Sequence, residues 1–141
     1  MLIFIGETMR ICIFGCGRMG ALTANIMCAE GHEVTVIDKN EDSFNRLTKD
    51  FNGTLIKGNG LEIAVLIKAG LDKQDAFIAT TNYDTRNILG AVIAKNQFNV
   101  PKVVARFYDQ ERAKIFGSFG IEAVCVTSLG SESVQNIILG K

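Results

Sequence analysis

The chain has 141 residues, 48% of them hydrophobic and 21% charged, and its 15 basic and 15 acidic side chains cancel. This is the length and composition of one globular domain. The charge balance lacks the basic excess of a nucleic-acid binder and the polybasic cluster of a membrane-surface binder, and no run of about 18 or more apolar residues is present to span a bilayer.

Met1–Ile5 is too short for a signal sequence and has no charged start, so the expected compartment is the cytoplasm. Residues 1–8 read as an N-terminal extension ahead of a single domain over 9–141. The first strand is expected at about Arg10–Phe14. It runs into Gly15-Cys16-Gly17-Arg18-Met19-Gly20, a G-x-G-x-x-G turn. In such a turn Gly15 permits the sharp exit from the strand, Gly17 lets a pyrophosphate approach the backbone, and Gly20 lets the next helix pack close. That helix is expected at about Arg18–Glu30, closed by Gly31. Its free N-terminal N–H groups suit phosphate. Arg18 in the first turn opposes the helix dipole by ~0.3–1 kcal/mol unless an anion is held there. It is either a phosphate ligand or a solvent-facing arginine.

His32, the single histidine, enters the second strand, Glu33–Asp38, from the amino end of the sheet and reads as a surface loop residue. Asp38 follows the glycine turn at about the 20-residue spacing of the acid that binds the adenosine ribose hydroxyls. A carboxylate there repels a 2′-phosphate and favours NAD or an adenine nucleotide over NADP, whereas the neighbouring Lys39 could reach a phosphate. Asp38 could instead only start the next helix, expected at about Asp42–Phe51 with Phe44, Leu47 and Phe51 at helical spacing. The third strand is Thr54–Lys57. Gly58-Asn59-Gly60 after it offers either a flat approach to a base, with donor and acceptor on Asn59, or a turn into a helix at about Leu61–Ala69.

The fourth strand, Ala76–Ala79, ends in Thr80-Thr81-Asn82. These residues either approach a pyrophosphate or second ribose, or cap a helix at about Asp84–Asn96 through Thr81-x-x-Asp84. The fifth strand, Lys102–Arg106, ends in an arginine that either faces the same crevice or pairs with Asp109 or Glu111. A helix over Asp109–Phe116 follows, then a sixth strand, Ala123–Val126, ending in Thr127-Ser128. A last helix at about Ser131–Leu139 carries a Val134, Ile137, Ile138 stripe. Strands alternating with helices and short connections give an α/β fold. The expectation is one doubly wound, six-stranded parallel sheet of the Rossmann type, order 3-2-1-4-5-6, with a crevice where strands 1 and 4 part.

Cys12, Cys16, Cys28 and Cys125 show no metal-ligand spacing, and no paired acid and base or Ser-His-Asp set is visible. Neither a metal nor a catalytic residue is expected. Cys12, Cys28 and Cys125 read as core thiols. Cys16 is either a small filler between glycines or, near a helix N-terminus that lowers a thiol pKa, a redox-responsive group.

The sequence resembles the TrkA N-terminal or RCK N-terminal regulatory domain of potassium uptake and channel systems over residues 9 to 138. The resemblance is carried by the glycine turn, by Gly31-His32-Glu33-Val34-Thr35-Val36-Ile37-Asp38, by Lys57-Gly58-Asn59-Gly60, by Ile78-Ala79-Thr80-Thr81-Asn82-Tyr83-Asp84 with Asn87, by Ala105-Arg106 and by Gly120-Ile121-Glu122-Ala123-Val124. It implies a non-enzymatic ligand sensor that binds NAD, NADH, ATP, ADP or AMP. Gly15, Gly17, Arg18 and Gly20 would then serve phosphates, Asp38 the ribose and Asn59 the adenine. It also implies a homo-oligomer, dimer or ring, under a membrane-embedded potassium transporter or channel subunit, peripheral to the inner face of the membrane. The family often has an acid where Asn59 stands, and its C-terminal regulatory domain has no counterpart before Lys141. The alternative for the same turn is a small or fragmentary NAD(P)-dependent oxidoreductase. Against it, no stretch is left over for a substrate domain and His32 lies at the wrong end of the sheet.

Overall fold

The apolar runs identified above become the strands of a parallel sheet, whose inner strands are largely buried on both faces. The computed structural model describes residues 6–141; the reading of Met1–Ile5, and with it most of the expected extension, lies outside the described residues. The strands are β1 (Arg10–Phe14), β2 (Glu33–Asp38), β3 (Thr54–Lys57), β4 (Ala76–Ala79), β5 (Lys102–Phe107) and β6 (Glu122–Cys125), in the parallel order β3-β2-β1-β4-β5-β6. In register, Ile13 of β1 lies between Val36 of β2 and Ile78 of β4.

Strand alternation divides the core. Ile11, Ile13, Val34 and Val36 face α1 (Arg18–Ala29), whose Ala21 and Ala24 are buried there. Cys12, Phe14, Phe77, Val103 and Phe107 face the opposite layer. That layer is built by α2 (Ile63–Lys68), α3 (Asp84–Asn96) and α4 (Gln110–Gly117), which contribute Leu66, Ala91, Ala94 and Ala113. Burial of one side chain such as Phe77 is worth about 1.5–3 kcal/mol.

The structure corrects four expectations. The helix expected at Asp42–Phe51 is a short 3-10 turn, Glu41–Arg46, capped by Asn40. The chain leaves helical geometry at Leu47, and Thr48 N–H donates to Asn25 Oδ1 of α1 at 3.0 Å. Phe44, Leu47 and Phe51 still pack on the α1-side core, so their spacing recorded burial rather than helix. Second, α2 is shorter than expected because Asn59 Oδ1 and O take the Leu61 and Glu62 N–H groups in a turn. Third, Thr81 does not cap α3: the N-cap is Tyr83, without a side-chain cap bond. Fourth, β6 stops at Cys125, which pairs with Phe107, the last residue of β5. With no ladder left to join, α5 (Val126–Leu139) begins at once, which puts Thr127 and Ser128 in its first turn rather than at a strand end.

Candidate functional site

The turn between β1 and α1 is fixed by sterics. Gly15 has φ +104, and a Cβ there would lie 2.9 Å from Thr81 N. A Cβ on Gly20 would lie 1.9 Å from Gly15 O, so only glycine lets α1 start this close to the turn. Gly17 differs from both. It is the N-cap of α1, without a side-chain cap bond, and a Cβ there would meet nothing within 4 Å. The fold does not require glycine at 17, and the space in front of it is open.

That space is a cavity of about 570 Å³ at the carboxyl ends of β3, β2, β1 and β4. At its β2 end the half-buried Asp38 accepts from Cys16 N–H and Asn40 N–H, both at 2.8 Å, and so braces the glycine turn. Lys39 and Asp42 line the same end. Gly58 and Asn59 line the β3 side, with Asn59 Oδ1 engaged by Leu61 N–H at 3.0 Å.

At the β4 end Thr80 is buried and donates to Gly15 O at 3.0 Å, tying the two loops together. Thr81 is held on all its polar atoms by the fully buried Asn87. Asn87 Oδ1 accepts from Thr81 N–H at 2.8 Å and from its hydroxyl at 2.6 Å. Asn87 Nδ2 donates to Thr81 O at 3.0 Å and to Arg106 O at 2.9 Å.

Of the residues singled out by the sequence, Gly15, Gly17, Asp38, Lys39, Gly58, Asn59, Thr80, Thr81 and Asn82 line this cavity together. Cys16, Arg18, Met19, Gly20 and Arg106 do not. Arg18 is exposed at the start of α1, and Gly20 serves packing. Arg106 is only 8% exposed and lies behind the cavity. It donates to Thr81 O and to Asn82 Oδ1, the latter at 3.3 Å, with its guanidinium 5.1 Å over the Tyr108 ring and its Nε unpartnered. Nor is the alternative pairing with Asp109 or Glu111 made: those carboxylates pair with Arg112 and Lys114. At Cys16 the structure favours the small filler over the redox-responsive group. Its thiol is fully buried and donates to Ser43 O at 3.3 Å. Burial, aided by Asp38 and opposed by Arg46, pushes it up from 9.0 to about 11, the reverse of an activated thiol.

Sequence reasoning missed Arg46, Tyr83 and Arg86, all of which line the cavity. Arg46 was concealed by the incorrect helix; from the 3-10 turn its Nη1 reaches Cys16 O at 3.3 Å. Arg86 had a readable signal, the same one applied to Arg18: a cation in the first turn of a helix, where the dipole disfavours it. His32 lies at the opposite, amino end of the sheet, where its Nδ1 accepts from Met9 N–H at 3.0 Å.

A family model of the TrkA-N domain matches residues 11–127. The Trk system potassium uptake protein TrkA of Streptomyces coelicolor is 40% identical over 131 residues, which are 93% of this chain and 59% of that protein. A TrkA homolog of Methanothermobacter thermautotrophicus is 31% identical over 116 residues, covering 82% of this chain and 53% of that protein. The chain thus spans only a little over half the length of these relatives. Among solved structures, the GsuK RCK domain superposes with a TM-score of 0.79 at 25% identity, covering 94% of this chain and 28% of that one. The GsuK channel bound to NAD gives the same TM-score and identity, covering 94% of this chain and 23% of that one.

Proposed function

We propose, for a chain that belongs to the TrkA-N domain family, a regulatory role in potassium transport: it binds NAD(H) or an adenine nucleotide (ATP, ADP or AMP) and passes ligand state to a membrane-embedded potassium transporter or channel subunit. The observation that carries this is Gly17. Its missing Cβ leaves room at an uncapped helix N-terminus inside a large cavity, which is what a diphosphate needs. The N–H groups of Gly17 and of the first turn of α1 would serve the phosphates. Asp38 would take the ribose hydroxyls, and Asn59, Gly58 and Lys39 would flank the adenine. Thr80, Thr81 and Asn82 would meet whatever lies beyond the pyrophosphate, with Arg106 holding that loop from behind. The Asp38 carboxylate disfavours a 2′-phosphate, and hence NADP. The Trk relatives and the NAD-bound GsuK channel support this reading.

The output surface is α5. None of its residues is buried, and Val134, Ile137 and Ile138 are 61%, 75% and 78% exposed. An apolar stripe left bare on this scale suits a second copy of the chain, in a dimer or ring, on the cytoplasmic side of its membrane partner. Ligands with unequal affinity for two assembly geometries then bias the partner, and only that inequality can shift the equilibrium. No helix among the described residues is long and apolar enough to cross a membrane. The oxidoreductase reading draws no support from the cavity, since His32 lies outside it. The test is small-angle scattering and light scattering of the purified chain with and without a saturating nucleotide. A ligand-dependent change in the size or shape of the oligomer is expected; nucleotide binding with no such change would contradict the regulatory role.

A further inference from the structure

The charges around the cavity are unevenly matched. At the β2 end the acids Asp38 and Asp42 stand with the bases Lys39 and Arg46. At the β4 end Arg86 is the charged lining residue, and among the described residues no carboxylate pairs with it. The nearest acid in sequence, Asp84, is committed elsewhere: its carboxylate accepts from Tyr108 N–H at 2.9 Å and Asp109 N–H at 3.3 Å. Arg86 is half-buried, and its guanidinium carbon lies 5.1 Å over the ring of Tyr83, which also lines the cavity. A stacked guanidinium is oriented, keeps its donors for a ligand, and is poorly suited to sit beside another cation. It also occupies the first turn of α3, where the dipole penalises it unless an anion is nearby.

We propose that Arg86, seated on Tyr83, reads the charge of the ligand beyond its first phosphate. It directs the cavity toward ligands whose distal half is anionic, nucleoside di- and triphosphates, and places NADH ahead of NAD+, whose nicotinamide ring is a cation. This inference rests on the nucleotide reading of the cavity and adds its selectivity. Strand order supplies the geometry. Adenosine recognition falls at the β2 and β3 ends and the phosphates at the β1 turn, so a chain of further phosphates, or a second nucleoside, extends toward β4 and Arg86.

Calorimetric titration of the full chain with ATP, ADP, AMP, NADH and NAD+ tests it, on the wild type, Arg86→Gln, Arg86→Lys and Tyr83→Leu. In the wild type ATP is expected to bind at least about tenfold tighter than AMP, and NADH tighter than NAD+. Arg86→Gln should weaken ATP by about tenfold to a hundredfold, the scale of a charge-assisted hydrogen bond. It should change AMP by less than about twofold and bring the NADH to NAD+ ratio close to one. Arg86→Lys should keep the order of preference, and Tyr83→Leu should shift it in the same direction as Arg86→Gln by a smaller factor. Tyr83 is 60% exposed, so its replacement leaves the core untouched. If the nucleotides bind and both the ATP to AMP and NADH to NAD+ ratios are unchanged in Arg86→Gln and Tyr83→Leu, the charge-reading role is overturned while the binding site stands. If the wild type binds none of the five, both fall.

Discussion

The three glycines of the β1–α1 turn differ in what a side chain would meet: backbone at Gly15 and Gly20, open space at Gly17. Gly20→Ala drives a methyl group into Gly15 O and should cost about 1–3 kcal/mol or more in chemical denaturation. Gly17→Ala meets open space, so its stability should change by less than about 1 kcal/mol while nucleotide affinity falls at least about tenfold. Equal losses of stability in the two variants would show that Gly17 is structural. The thiols give a second prediction. Burial holds Cys12 at about 12 and Cys16 at about 11, against 9.0 for an ordinary thiol. An unfolded chain releases these protons from about pH 9, whereas the folded chain retains them. Their contribution to stability is therefore complete below pH 9 and is lost as pH rises toward 11 and 12. Melting temperature should fall over that range in the wild type and less steeply in Cys12→Ala/Cys16→Ala. Cys125 lies the other way: the Ser128 hydroxyl and the N–H groups of the first turn of α5 lower its pKa, so it should alkylate ahead of Cys12 and Cys16 at pH 7.5. The conformational role of Gly15 and the side Asp38 occupies could be read from spacing alone, because local sterics and strand order fix both. The place of Arg46 could not, because a 3-10 turn and a helix present the same side chain to different neighbours.

At the scale of elements, the strands follow the sequence closely and the helices less so. An apolar run between glycines has one solution in a two-faced sheet, whereas Phe44, Leu47 and Phe51 can bury themselves from a helix or from an irregular segment. The same ambiguity hid the start of α5: Val126 and Thr127 have strand propensity, yet β5 offers no partner beyond Phe107, and tertiary context overrides propensity. Asn87 shows how elements are joined at the cavity. Its four hydrogen bonds lock the β4–α3 loop to β5 from a position with no exposure. Asn87→Ala takes the side-chain partner from the Thr81 N–H and the Arg106 carbonyl and should cost about 2–4 kcal/mol by urea denaturation. A loss within about 0.5 kcal/mol would mean that this loop holds its shape without the bond set.

At the scale of the molecule, the sheet gathers Gly17, Asp38 and Arg86 around one cavity at the carboxyl ends of its central strands and leaves α5 bare beyond β6. In the proposed reading, binding and assembly therefore fall on different surfaces of one domain. Ile137→Asp/Ile138→Asp places charges on the exposed stripe without touching the core, so it should shift the chain to monomer in light scattering while nucleotide affinity is kept. An unchanged mass would remove α5 from the assembly. The central claim, that this cavity is a nucleotide site, is tested most directly by calorimetry of NAD, NADH, NADPH, ATP, ADP and AMP against the wild type and Asp38→Ala. The account predicts saturable binding of NAD(H) or the adenine nucleotides, weak binding of NADPH, and at least about a tenfold loss in Asp38→Ala. Binding that Asp38→Ala leaves unchanged, or no binding by any of the six, would contradict it.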